Sequence, residues 1–319
     1  MRVIWLLTLM LAVLSGAGAQ AQTYPSKPIR LVVGYSPGGG NDVMARIVAA
    51  KLQDRLGQPV VVENKAGAQS IIAAELVAKS APDGYTLLVA PSGPMTINPA
   101  IYSKLPYAPR KDFAPVSLIA EFPLLLGVTA SLPVKTVREL VDYAKTRPND
   151  ANYASSAAPF QLAAELFNQK TGSKFVHVPF KGSGDAVAAV ATGTVIMTIS
   201  DAGPISAGLQ GGTIRALAVT SAARHPAFPG VPTMAEAGIA EMVITLWTGI
   251  VAPAGTPEPI IQRLQAEIAE VMRLPDVRER FGNLGIDAVS STPQTYARRI
   301  ADDIARWTAT ANAAGIKLD

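Results

Sequence analysis

The chain contains no cysteine and only two histidines in 319 residues. Without cysteine it can form no disulfide and carries no lipobox residue that could be acylated to a membrane. Two histidines far apart in sequence supply no zinc ligand set, and no metal is expected. Aromatic residues make up 6%, and the lysines and arginines behind the formal charge of +4 are scattered, with no basic run. A nucleic-acid partner is therefore not expected. Only 16% of residues are charged while 49% are hydrophobic, which excludes a disordered chain and allows a large buried core.

What is present begins with an export signal. Arg2 precedes the apolar run 3–14, and "SGAGAQAQ" follows, with Ala19-Gln20-Ala21 in the A-x-A form. This reads as a secretory signal peptide over 1–21, cleaved after Ala21, and its apolar run is too short for a bilayer span. No later run is long and apolar enough to cross a membrane. The reading places the protein outside the cytoplasm, where NAD and ATP are scarce, and no cofactor is expected.

Beyond the signal, short β-branched runs alternate with helical patterns. "IRLVV" reads as a strand, and Met44, Ile47, Val48, Leu52 and Leu56 then share one helical face. "PVVVENK", "YTLLVA", "ANYAS", "FVHVPF", "VIMTIS" and "IRALAVTS" read as further strands separated by helices. Apolar on both faces, such strands belong in parallel sheets with crossover helices. Two apolar runs, 116–130 and 242–255, exceed an ordinary strand and read as crossings between two lobes. The expected lobes are residues 22–124 with 247–319, made discontinuous by the crossings, and residues 125–246. Helices over 258–272 and 293–309 would return to the first. A single doubly wound sheet with long strands is the alternative.

Ligands of open parallel sheets sit beyond the carboxyl ends of the strands. There "GYSPGGGNDVMAR" places Gly38, Gly39 and Gly40 before a helix that Asn41 or Asp42 can cap. No Gly-Lys-Ser/Thr follows, and Val43 stands where a dinucleotide fingerprint needs glycine. The loop reads either as an anion site at a helix N-terminus or as a tight turn. "NYASSAAPFQLAAELF" makes a second strand-to-helix loop, with Ser155 and Ser156 as hydroxyl donors or simple caps and Pro159 in the first turn. Two such ends, one per lobe, would clamp a carboxylate with uncharged donors. Ser92, Gly93, Asn98, Lys181, Gly182, Ser183, Ser200 and Asp201 sit at other strand ends. Lys181, the one cation so placed, reads equally as solvated or paired to Asp185. A Ser155–His177–Asp201 triad can be written, but no G-x-S-x-G elbow surrounds the serine and no acid pair has an acid–base context, so no enzyme is expected.

These residues resemble the periplasmic solute receptors of tripartite tricarboxylate transporters, the Bug family. The resemblance runs through "YPSKPIRLVVGYSPGGGNDVMAR", "VVVENKAGAQSIIAAELVAKSAPDGYTLL", "INPAIYSKLPY", "HVPFKGSGDAV", "IRALAVTSAARHPAFPGVPTMAEAG" and "GIVAPAGTPEPIIQRL". It implies an α/β, two-lobed Venus-flytrap fold of the periplasmic binding protein type, type II-like, with two crossover strands. It also implies a monomer that binds a small di-, tricarboxylic or aromatic acid and delivers it to integral-membrane transporter subunits. Residue by residue, the implied contacts are Tyr35, Ser36, Pro37, Gly38, Gly39 and Asp42, then Ser92, then Ser155, Ser156, Ala157 and Gln161, and finally Ser200 and Asp201. The second-lobe loop, "SSAAPF", has less glycine than the family usually carries. "GTVIMTISD" has Ile196 and Ser200 where the family's "DLMFDN"-like strand is acidic. Both departures lean toward a plain or aromatic carboxylic acid. A sensory co-receptor for a membrane signalling protein and an exported hydrolase using Ser155 or Ser156 are the rival functions.

Overall fold

The computed structural model describes residues 24–180 and 182–318; the expected signal peptide and Lys181 lie outside them. Strand β1 (Ile29–Val33) is followed by helix α1 (Gly40–Leu56), β2 (Val60–Asn64), α2 (Ile71–Ala78) and β3 (Thr86–Pro91). The three strands are parallel in the order β2-β1-β3. The stripe expected on α1 is buried, Met44, Ile47, Val48, Leu52 and Leu56 all joining one apolar core with Ile29, Leu31 and Val33 of β1. Each such side chain contributes about 1.5–3 kcal/mol.

The long strand β4 (Phe113–Thr129) then leaves this half of the sheet. Helix α3 (Val137–Thr146), β5 (Asn152–Ser155), α4 (Ala158–Thr171), β6 (Val176–Pro179), α5 (Ser183–Ala191), β7 (Met197–Asp201), α6 (Ala202–Gln210) and β8 (Ile214–Val219) form the second α/β unit. The chain returns through β9 (Thr245–Pro253) and ends with α7 (Glu258–Arg273), α8 (Pro275–Gly282), the short β10 (Asp287–Ala288) and α9 (Pro293–Ala314).

Strand β4 belongs to both halves. Its first part pairs with β9, from Phe113 opposite Pro253 to Pro123 opposite Thr245, and its second part pairs with β7 and β8. The described strands are thus hydrogen-bonded continuously, in the order β2-β1-β3-β9-β4-β7-β5-β6. The two lobes share one sheet because a single apolar strand is long enough to serve each in turn.

The register also decides where the loops point. Antiparallel to β9, strand β3 ends with Pro91 opposite Thr248, close to where β4 passes into the second unit. On the other side β7 ends with Asp201 opposite Leu124, and β5 is parallel to β7. The carboxyl ends of the parallel strands in both units therefore face one another across the middle of β4.

Helix α9 differs from expectation. It continues to Ala314, capped at its start by Thr292 Oγ1, which accepts from the Thr295 amide at 3.1 Å. Tyr296 and Ile300 pack in the first unit, while Trp307 and Ala311 join the core of the second. The helix spans both lobes, and Gln169 Nε2 of α4 donates to the Thr310 carbonyl at 3.1 Å. The amphipathic pattern specifies a buried face, not which sheet covers it.

Candidate functional site

The first loop is built from its anchors outward. Gly34 follows β1 and lies against Ser70, where a Cβ would lie 1.7 Å from Ser70 Oγ, so no larger residue fits. Tyr35 turns its phenol inward beside Gly93, and burial pushes that hydroxyl up to about 12. Ser36, Pro37, Gly38, Gly39 and Gly40 are exposed. Gly38 has φ of +81°, a conformation that L side chains rarely adopt.

Asp42 holds this loop in place. It is 2% exposed, and both carboxylate oxygens are engaged. Oδ2 accepts from the Gly38 amide and from Arg46 Nε, each at 2.9 Å, and Oδ1 accepts from Asn64 Nδ2 at 2.8 Å. Asn64 Nδ2 also donates to the Tyr35 carbonyl at 3.1 Å. Gly39 N–H donates to the Ser36 carbonyl at 3.3 Å. Among the candidate contacts, Asp42 therefore acts as a clamp within the first lobe. The amides that the start of α1 leaves without intrahelical partners are those of Gly40, Asn41 and Asp42. Asn41 is fixed in turn by Thr248 Oγ1 of β9, which donates to its Oδ1 at 3.0 Å.

The Arg46 hydrogen bond is the largest influence on the Asp42 carboxyl, and with the Gly38 amide and Asn64 it outweighs burial and holds the pKa down at about 2. A carboxyl whose folded value is depressed adds stability above its ordinary range, near 4, and loses it as pH falls toward 2. Chemical denaturation of wild type and Asp42→Asn across pH 7 to 2 should show the variant less stable at pH 7, with the gap closing between about pH 4 and 2. A gap independent of pH would contradict the clamp.

The second loop leaves β5 at Ser155, which is buried, its Oγ sharing a 2.7 Å hydrogen bond with His177 Nε2. The His177 ring stacks on Tyr153, with centroids 5.0 Å apart, and burial lowers its pKa against an opposing pull from Glu165. Ser156 Oγ bonds Ser183 Oγ at 2.9 Å, joining the loop after β5 to the start of α5. Ala157 is the N-cap of α4, its carbonyl accepting from the Phe160 and Gln161 amides. Pro159 carries no N–H, so the amides of Ser156, Ala157 and Ala158 are the donors available at this end.

Ser92 is buried at the end of β3, its carbonyl accepting from Thr96 Oγ1 at 2.8 Å. Ser200 Oγ donates to Asp201 Oδ1 at 2.8 Å, and Asp201 precedes the first turn of α6. The acid beside His177 is Glu165, while Asp201 is bonded to Ser200. The conceivable Ser155–His177–Asp201 triad is thus not assembled, although its serine and histidine touch.

Some residues at the cleft were not singled out from the sequence. Asn64 ends β2, and the strand-end rule that located Ser92 applies to it equally. Leu284 and Ile286, from the loop before β10, line a cavity together with Gly40, Met44, Phe122 and Asp201. No sequence pattern points to them.

The fold and this cleft define a two-lobed periplasmic binding protein. A solved periplasmic transporter structure matches with a TM-score of 0.78 at 35% identity, over 93% of this chain and all of that one. Residues 44–316 match the tripartite tricarboxylate transporter family receptor. Protein BugT of Bordetella pertussis is 40% identical over 305 residues, covering 95% of this chain and 94% of that protein. A Rhodopseudomonas palustris protein solved with adipate, Rpa4515, is 37% identical with a TM-score of 0.78, covering 92% of this chain and 99% of the other. MatC from the same organism, with bound malate, is 33% identical with a TM-score of 0.74, over 90% and 99%. The chain belongs to the tripartite tricarboxylate transporter receptor family, whose members are periplasmic solute receptors.

Proposed function

We propose that this chain, exported and cleaved after Ala21, is a monomeric receptor that holds a small carboxylate between its lobes and hands it to transporter subunits in the membrane. The observation that carries the reading is the pair of helix N-termini, α1 and α4, on opposite sides of the β4 crossing. Each offers main-chain amides, supported by Ser36, Ser92, Ser155, Ser156 and Gln161. A helix end favours an anion by about 0.3–2 kcal/mol, depending on burial. Micromolar binding needs about 8 kcal/mol, so water exclusion on lobe closure and apolar contact supply the larger share. The carboxylates bound by the two Rhodopseudomonas relatives agree with this class of ligand.

Thermal-shift screening of the chain from Gln22 onward against organic acids, sugars and cations, followed by calorimetry, tests the proposal. Stabilisation by carboxylates is expected; stabilisation by sugars or cations alone would overturn it. The hydrogen bond between Ser155 and His177 favours one other reading, ester hydrolysis. Ser155 is only 4% exposed and its histidine has no orienting Asp201, so we assign the pair to shaping the loop. Wild type should hydrolyse p-nitrophenyl esters no faster than Ser155→Ala.

A further inference from the structure

A cavity of about 280 Å³ lies where the start of α1 meets the start of α6. Much of its wall is apolar, formed by Met44, Phe122, Ala202, Leu284 and Ile286. Asp201 is the one ionisable side chain among its described lining residues. Its carboxylate accepts from Ser200 Oγ, and no ion pair among the described residues includes it. Burial raises its pKa, as expected for an acid removed from water with no cation beside it among the described residues. Asp201 also stands directly before the first turn of α6, and its carboxylate makes no cap hydrogen bond to that helix.

We propose that Asp201 determines specificity in this cleft, selecting an acid with one negative charge and an apolar or hydroxyl-bearing body and rejecting a second carboxylate at the far end. The inference rests on the carboxylate-receptor reading above. A ligand held at the α1 amides extends along Met44, Phe122 and Leu284, and its distal group arrives beside Asp201. A hydroxyl there donates to the free carboxylate oxygen, and a methyl or ring edge meets the apolar wall. A second carboxylate meets a like charge in a half-buried site where no cation stands among the described lining residues. At a separation of about 5 Å and an effective dielectric of about 20, that repulsion weakens binding by roughly two orders of magnitude.

Calorimetry with two matched pairs, hexanoate against adipate and benzoate against terephthalate, separates charge from length and shape. In wild type each monoacid should bind at least about tenfold more tightly than its diacid partner. Asp201→Asn, isosteric and neutral, should raise the diacid-to-monoacid affinity ratio at least tenfold, with melting curves confirming that the variant folds. A diacid that matches its partner in wild type, or a ratio unmoved by Asp201→Asn, overturns the role of Asp201. Binding of none of the four acids to folded wild type overturns the specificity assigned to Asp201, and failure of the whole organic-acid screen as well overturns the carboxylate-receptor reading itself.

Discussion

Trp247→Ala should cost about 4 kcal/mol or more and lower the melting temperature by roughly 6 °C, the largest stability loss expected from a single truncation here. Trp247 is fully buried on β9, one of the two crossover strands. Its ring stands edge-on to Tyr296 with centroids 5.2 Å apart, and its Nε1 donates to Asp303 Oδ2 at 2.7 Å. Asp303, itself buried, also accepts from Arg299 Nε at 2.8 Å. Arg299 reaches Glu121 of β4 at 3.2 Å and the carbonyl and hydroxyl of Thr245 at 2.9 and 2.8 Å. Both crossings are therefore tied to α9 through one polar cluster. Truncation leaves a cavity and removes a neutral donor from a buried carboxylate, and the two costs add. Trp247→Phe keeps most of the packing and should lose about 1–2 kcal/mol, the share of the hydrogen bond. A melting shift below about 2 °C for Trp247→Ala would show that the crossings do not depend on this cluster.

Gly39→Asp should weaken ligand binding about 100-fold with little change in stability. Gly39 is exposed, and its φ of −73° and ψ of 163° suit any L residue. A Cβ there meets only the Ser36 carbonyl, at 3.4 Å. The aspartate thus enters without strain and puts a negative charge within about 5 Å of the proposed anion, worth about 3 kcal/mol at an effective dielectric of 20. Gly39→Asn adds the same bulk without charge and should weaken binding less than tenfold. Calorimetry on both variants separates repulsion from obstruction. Equal losses would argue that an anion does not sit at this helix end.

The crossings were legible because their composition is unusual: 116–130 and 242–255 are apolar on both faces and longer than a single sheet requires. They appear as Phe113–Thr129 and Thr245–Pro253. The strand ends were legible for a similar reason, since glycine and serine interrupt β-branched runs at each one. The partners of those residues were not. Asp42 reads from sequence as a cap or a contact, and only the fold brings Asn64, at the end of another strand, onto its Oδ1. That bond assigns its carboxylate to the loop. The amides free to bind also lie further along than the glycines suggest. Gly38 and Gly39 donate within the loop, leaving Gly40, Asn41 and Asp42. Helix starts are poorly specified by sequence, and here a shift of one or two residues changes which amides are free. Leu284 and Ile286 reach the cleft from a loop more than 160 residues after Phe122. That proximity arises only when the chain has crossed twice, so no local pattern could announce it.

The most direct test is a crystal structure of the mature chain saturated with an acid it binds. The account predicts a carboxylate within about 3 Å of the Gly40 or Asn41 amide and facing the Ser156–Ala158 loop, with the ligand's far end toward Asp201. An acid seated away from both helix ends, or held chiefly by a lysine or arginine side chain, would contradict it.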